Sequence, residues 1–155
     1  DVYRDGVIWK MDTQVSCGTM KGIYTTAERA AEYEAVVEDL RNHTYEKDRL
    51  VVPGLNPWIY LESPARCGAF SVWRVDFKDE RNWDYYEKYP ANIPTVIYLL
   101  GTDRKTYPGW RWGSHGSSSQ GQGVEAAEGY LQELLETGRY EMQKTATGIF
   151  YRLVE

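Results

Sequence analysis

The stretch "GTMKGIYTTAERAAEYE" at 18–34 sets two glycines, a lysine and two threonines ahead of a helix. That is the composition of a loop able to hold phosphate on backbone amides at a helix start. A P-loop needs GxxxxGK[ST], in which the lysine follows the second glycine and reaches the outer phosphates. Here Lys21 precedes Gly22, no Gly-Lys-Thr follows, and GxGxxG is absent. The glycines therefore read as a turn between strands, with Thr25 and Thr26 capping the helix.

Other chemistry is equally hard to assemble. The two histidines, His43 in "NHTYE" and His115 in "GSHGSSS", lie in different contexts: His43 as a solvated residue near a helix end, His115 among serines in a glycine-rich loop. Neighbouring serines do not make a nucleophile–base pair, which needs fixed geometry. There is no GxSxG elbow and no HExxH. Cys17 and Cys67 cannot form a metal site by themselves, and neither belongs to a CxxC. Each precedes a glycine, which places both at strand ends, either as two buried thiols or as one disulfide of an oxidising compartment. "NHT" at 42–44 is a glycosylation sequon, meaningful only in a eukaryotic secretory chain. No metal and no cofactor is expected.

The strongest ligand-binding candidates are Trp110, Arg111, Trp112 and His115, within "YPGWRWGSHGSSSQGQG" at 107–123. Indole faces stack on sugar CH surfaces, and a glycine-rich loop can fold around a ligand. The plainer alternative is two tryptophans anchoring a long loop to the body. Such loops in compact domains are usually functional or disordered.

Bulk properties narrow the classes. The 155 residues carry a net charge of −5, with 18 Lys and Arg dispersed among 23 Asp and Glu, so the basic patch of a nucleic-acid binder is missing. No nucleic-acid partner is expected. No stretch approaches the ~20 apolar residues of a membrane span. A first residue of Asp rather than Met points to a processed chain or an excised fragment. Six Trp and thirteen Tyr against three Phe favour half-wet surfaces, whether a core rim or a ligand face.

The elements that would position these residues are legible from periodicity. Thr25 and Glu28 fit a capping box, and Tyr33, Val36, Val37 and Leu40 form one apolar stripe, predicting a helix over about 26–42. "RLVV" at 49–52 predicts a short buried strand. Asn56 and Pro57 predict a short helix with Asn56 as N-cap. "GAFSVWRVDF" at 68–77 predicts a strand, "KDERNWDYYEKYP" a helix ended by Pro90, and "TVIYLLG" at 95–101 the clearest buried strand. A helix over about 123–137 is striped by Val124, Ala127, Leu131, Leu134 and Leu135 and closed by Gly138. The last segments flank Thr147-Gly148 as an antiparallel hairpin, and "VYRDGVIWKM" could add a strand. This alternation predicts a single α/β domain over 1–155. Its fold would be a layered, Rossmann-like open sheet, mostly parallel, with a C-terminal antiparallel strand pair. The 107–123 loop then follows the carboxyl end of the best strand, the edge at which open α/β sheets bind ligands.

"VYRDG", "MKGIYTT" with a helix ending "YEAVVEDL", "NPWIYL" followed by "SVW", and "IPTVIYL" occur in an order that resembles a recurrent bacterial domain. It is the soluble C-terminal domain of multi-spanning membrane proteins similar to glycosyltransferases. The resemblance runs from about Val2 to Tyr98, and the closing "YEMQKTATGIFYRL" looks like the final strand pair of such domains. It implies membrane helices before Asp1, a location on the extracytoplasmic face of the bacterial cell membrane, and the chain's own membrane-embedded portion as a partner. It brings no catalytic residues to this sequence, and the 107–123 loop is not part of its pattern. The expectation is a non-catalytic accessory domain contacting glycan or lipid-linked sugar. Two alternatives stand beside it. One is a small α/β enzyme acting on a sugar or nucleotide-like ligand near Asn56, Arg74, Asp103 and Arg104. The other is a packing scaffold that binds nothing.

Overall fold

Among the described residues the longest helix, α1 (Ala27–His43), forms where the stripe requires it, with Ala30, Tyr33, Val36, Val37 and Leu40 all buried. Fully burying such side chains contributes about 1.5–3 kcal/mol each for the larger ones, so the stripe fixes which face of α1 turns inward. Its N-cap is Thr26, whose hydroxyl accepts from Arg29 N at 3.3 Å. The expected capping box on Thr25 and Glu28 does not form, because Thr25 is buried in a strand one residue earlier. The computed structural model describes residues 8–53, 56–72, 79–101 and 133–154.

Two short strands, β1 (Thr13–Gln14) and β2 (Tyr24–Thr25), pair antiparallel ahead of α1. Between them Val15 donates to Ile23 O while Gly22 donates to Val15 O, both at 2.9 Å, so two residues oppose one. Such a bulge puts its first residue at positive φ, which Gly22 supplies at +92°. The described part of the expected N-terminal strand, Ile8–Lys10, is instead one 3₁₀ turn.

The main sheet contains β3 (Arg49–Val51), β4 (Arg66–Cys67), β5 (Val96–Leu100), β6 (Tyr140–Lys144) and β7 (Gly148–Leu153), in the order β4-β3-β5-β7-β6. β3 pairs parallel with both β4 and β5, whereas β7 pairs antiparallel with both β5 and β6. The sheet is therefore evenly mixed rather than mostly parallel. Strand alternation could not reveal this, because β7 closes on β5 across a long sequence gap. The expected C-terminal antiparallel pair is present as β6–β7.

Side chains alternate between two faces of β5. Val96 and Tyr98 join Val36, Leu40, Leu50, Ile59 and Phe150 in one apolar cluster, and Ile97 joins Val51 and Tyr86 in another. The first cluster is covered by α1 and the single turn α2 (Ile59–Glu62). The second is covered by α3 (Asp79–Lys88), with Leu134 and Leu135 packed against it. Tyr98 stacks on Phe150 with ring centroids 4.2 Å apart.

Several boundaries differ from expectation for local reasons. α2 starts at Ile59, not Pro57; residues 56–58 form a tight turn in which Asn56 O accepts from Ile59 N at 3.1 Å, and no side chain caps the helix. Of the strand expected over 68–77, residues 68–72 are not strand and 73–77 lie outside the described residues; pairing with β3 occurs just before it, at Arg66–Cys67. Gly68 still donates to Leu50 O at 2.8 Å, but its carbonyl accepts from the Tyr86 hydroxyl of α3 at 2.8 Å, which ends the ladder. Of the helix expected over 123–137, residues 133–136 are helical, and Gly138 follows at φ +69° as the C-cap glycine. Val124, Ala127 and Leu131 lie outside the described residues.

Gly148 begins β7 for a reason other than turn formation. A Cβ there would stand 2.1 Å from Leu99 O and 2.9 Å from Tyr98 Cε2, so only a bare Cα lets β7 approach β5. Gly148→Ala is expected to destabilise the protein by about 1–3 kcal/mol, the range for overpacking, in urea unfolding followed by circular dichroism. An unchanged midpoint would contradict the β5–β7 register.

Candidate functional site

Trp110, Arg111, Trp112 and His115 lie outside the described residues, as do Arg74, Asp103 and Arg104. Of the second group Asn56 is described, at the turn into α2. β3, β4 and β5 run parallel, so their carboxyl ends share one edge of the sheet, and the 107–123 segment follows β5 in sequence.

Within the described residues the polar side chains converge at the contacts between α1 and its surroundings, on carboxylates that nothing in the sequence marks out. The stretch that resembled a phosphate loop is the tip of the β1–β2 hairpin, and its donors are already engaged. The Glu62 carboxylate accepts from Thr19 N at 3.1 and 3.0 Å, from the Thr19 hydroxyl, and from the Tyr33 hydroxyl at 2.5 Å. The Tyr33 oxygen in turn accepts from Met20 N at 3.1 Å. The hairpin tip does cradle an anion, and that anion is the chain's own Glu62, buried to 7% exposure. Burial, then the bond to Glu62, pushes the Tyr33 hydroxyl above its ordinary pKa, so the tyrosine remains a donor.

Three further carboxylates act in the same way. Asp39 on α1 accepts from Thr147 N at 3.1 Å and from the Thr147 hydroxyl, which also meets the buried Tyr98 hydroxyl at 2.5 Å. Asp48 accepts from Tyr45 N at 2.8 Å and from Arg152 Nη1 and Nη2 at 3.1–3.2 Å. The same guanidinium donates to His43 O at 2.7 Å. Glu34 accepts from Ser16 N at 2.6 Å, and this bond with the Ser16 hydroxyl holds its carboxyl below the ordinary 4.5. The resulting stability is present above the unfolded value and is lost as pH falls through the lower folded value.

His43, expected to be solvated, is half-buried with its ring 5.1 Å from Phe150, because Arg152 draws the end of α1 onto β7. The sequon threonine, Thr44, is buried, and its hydroxyl donates to Leu40 O at 2.5 Å. Both cysteines are free, and neither is buried: Cys17 is half-buried on the hairpin and Cys67 is exposed at the end of β4.

An open depression of about 550 Å³ runs along α1, lined by Cys17, Glu34, Glu38, Arg41 and Asn42 among others. Burial, then the neighbouring Glu34, raises the Cys17 pKa; Arg41 opposes this without reversing it. A nucleophilic cysteine needs the reverse environment, one that stabilises the thiolate. Among the described residues no group of three or more His, Cys, Asp or Glu side chains could hold a metal ion. No helix among them is long and apolar enough to cross a membrane.

No protein-family model, curated protein or solved structure matches the chain.

Two outcomes check this geometry. Glu62→Gln, which removes the charge from the hairpin cradle, is expected to cost about 1.5–3 kcal/mol in chemical unfolding, as for a charge-assisted hydrogen bond; a neutral effect would contradict the cradle. In iodoacetamide alkylation at neutral pH followed by peptide mass spectrometry, Cys17 is expected to react more slowly than Cys67. Faster modification of Cys17 would mark an activated thiolate and reverse its assignment.

Proposed function

We propose that the chain is a layered, Rossmann-like α/β domain serving as a non-catalytic accessory module on the extracytoplasmic face of a bacterial membrane protein. It contacts glycan or lipid-linked sugar through Trp110, Arg111, Trp112 and His115, and it packs against its own membrane-embedded portion. One observation carries the accessory part of this proposal. The carboxylates of Glu34, Asp39, Asp48 and Glu62, which in an enzyme could serve acid–base chemistry, bind the chain's own loop amides. The raised Cys17 pKa points the same way. Support for the layering comes from apolar clusters on both faces of the sheet. The glycan assignment rests on paired indoles in a glycine-rich segment that follows the carboxyl edge of β5.

The test is a titration of oligosaccharides and nucleotides followed by tryptophan fluorescence, with Trp110→Ala/Trp112→Ala as the control. The proposal predicts a saturable response to sugar that is lost in the double variant. Silence across the sugars would overturn glycan contact and leave the packing scaffold. A response to nucleotides alone would favour the enzyme alternative.

A further inference from the structure

β6 is an outer strand of the sheet, and its backbone donors and acceptors divide by parity. Thr145 donates to Gly148 O at 2.9 Å and Val154 donates to Arg139 O at 2.7 Å, on either side of the β6–β7 register. Bonded pairs alternate along an antiparallel ladder. The inward-bonding residues of β6 are therefore Glu141 and Gln143, while Tyr140, Met142 and Lys144 turn their N–H and C=O groups away from β7. Among the described residues no strand pairs with that side.

Side chains on this edge add a second observation. Met142 stands opposite Tyr151, which packs against the apolar cluster on the α3 face, yet Met142 itself is 56% exposed. The apolar face thus runs out to the edge and stops at an uncovered methionine. Natural edges are commonly guarded by charges that repel an incoming strand. The charges here do not guard against a copy of the same strand. When two β6 strands pair antiparallel about a two-fold axis at Met142, Tyr140 faces the partner's Lys144 and Glu141 faces the partner's Gln143. Met142 meets its own copy. No like charges oppose one another, the arrangement that cross-strand pairing requires. The outward N–H and C=O groups also fall opposite each other in this register, so they satisfy one another.

We infer that β6 is a self-association edge, through which two copies of this chain join their five-stranded sheets into one continuous antiparallel seam. The interface is isologous, each strand offering the same three outward residues.

Sedimentation velocity on the 155-residue chain over about 1–100 µM tests this, since a dimer must respond to concentration. Reductant is included so that exposed Cys67 cannot cross-link copies. The wild-type chain is expected to shift from monomer to dimer across the range. Met142→Pro removes an outward-facing N–H and fixes φ at about −65° without deleting a β6–β7 bond, and is expected to stay monomeric. Met142→Lys, which sets two ammonium groups on the axis, is expected to stay monomeric as well, and it decides the matter if the proline variant does not fold. A wild-type chain that is monomeric throughout, or a dimer that persists in Met142→Lys, would overturn the inference.

Discussion

The structure depends on one recurring constraint: loop amides that have no strand or helix partner must still find acceptors. In this chain carboxylates on or beside α1 accept them. Glu34 takes Ser16, Glu62 takes Thr19, Asp48 takes Tyr45, and Asp39 takes Thr147. The bonds of Glu34, Glu62 and Asp39 each fasten a loop to a neighbouring element, holding the N-terminal hairpin, α1, α2 and the β6–β7 turn against one another, while Asp48 closes the turn between α1 and β3. The charge of each acceptor makes these bonds roughly twice as strong as neutral ones. The apolar stripe determines which face of α1 is buried, and the carboxylates determine what the exposed flanks of that helix are attached to.

The same constraint explains why the opening stretch resembles a phosphate loop. At this hairpin tip the amide and the hydroxyl of Thr19 are turned toward one point, and such a point attracts an anion. In a nucleotide-binding protein a ligand fills it. Here Glu62, arriving from 43 residues away, takes that place, with Tyr33 donating beside it. A carboxylate that replaces a ligand converts a binding feature into a tertiary contact, and the surrounding groups follow suit. Arg152 secures Asp48 and the end of α1, and the Thr147 hydroxyl links Asp39 to Tyr98. These carboxylates of the described body serve contacts within the chain, and the proposed sugar contacts belong to the tryptophan segment that follows β5 in sequence.

Legibility in the sequence followed the range of the interaction. The α1 stripe, the apolar run of β5 and the terminal hairpin are set by residues within a few positions of one another, and they stand close to where periodicity placed them. The end of the β4 ladder at Gly68 and the mixed order of the sheet depend on Tyr86 and β7, partners that periodicity cannot see. The carboxylate contacts were hidden for the same reason. Asp39 and Thr147 are 108 residues apart, and a helical aspartate bonded to a distant loop reads in sequence like one facing water. The hairpin about Thr147-Gly148 is legible, but the crowding against Leu99 that requires a glycine at 148 is not.

The central claim, that carboxylates fasten otherwise unpaired loop amides to the α1 framework, is tested most directly by backbone hydrogen exchange at neutral pH, resolved by NMR. Thr19 and Thr147 lie outside helix and strand, so without their acceptors both amides would exchange at open-loop rates. The account predicts that both are protected to a degree comparable with the buried α1 amides of Val37 and Leu40. Exchange of Thr19 and Thr147 as fast as an unstructured loop, with Val37 and Leu40 protected, would contradict it.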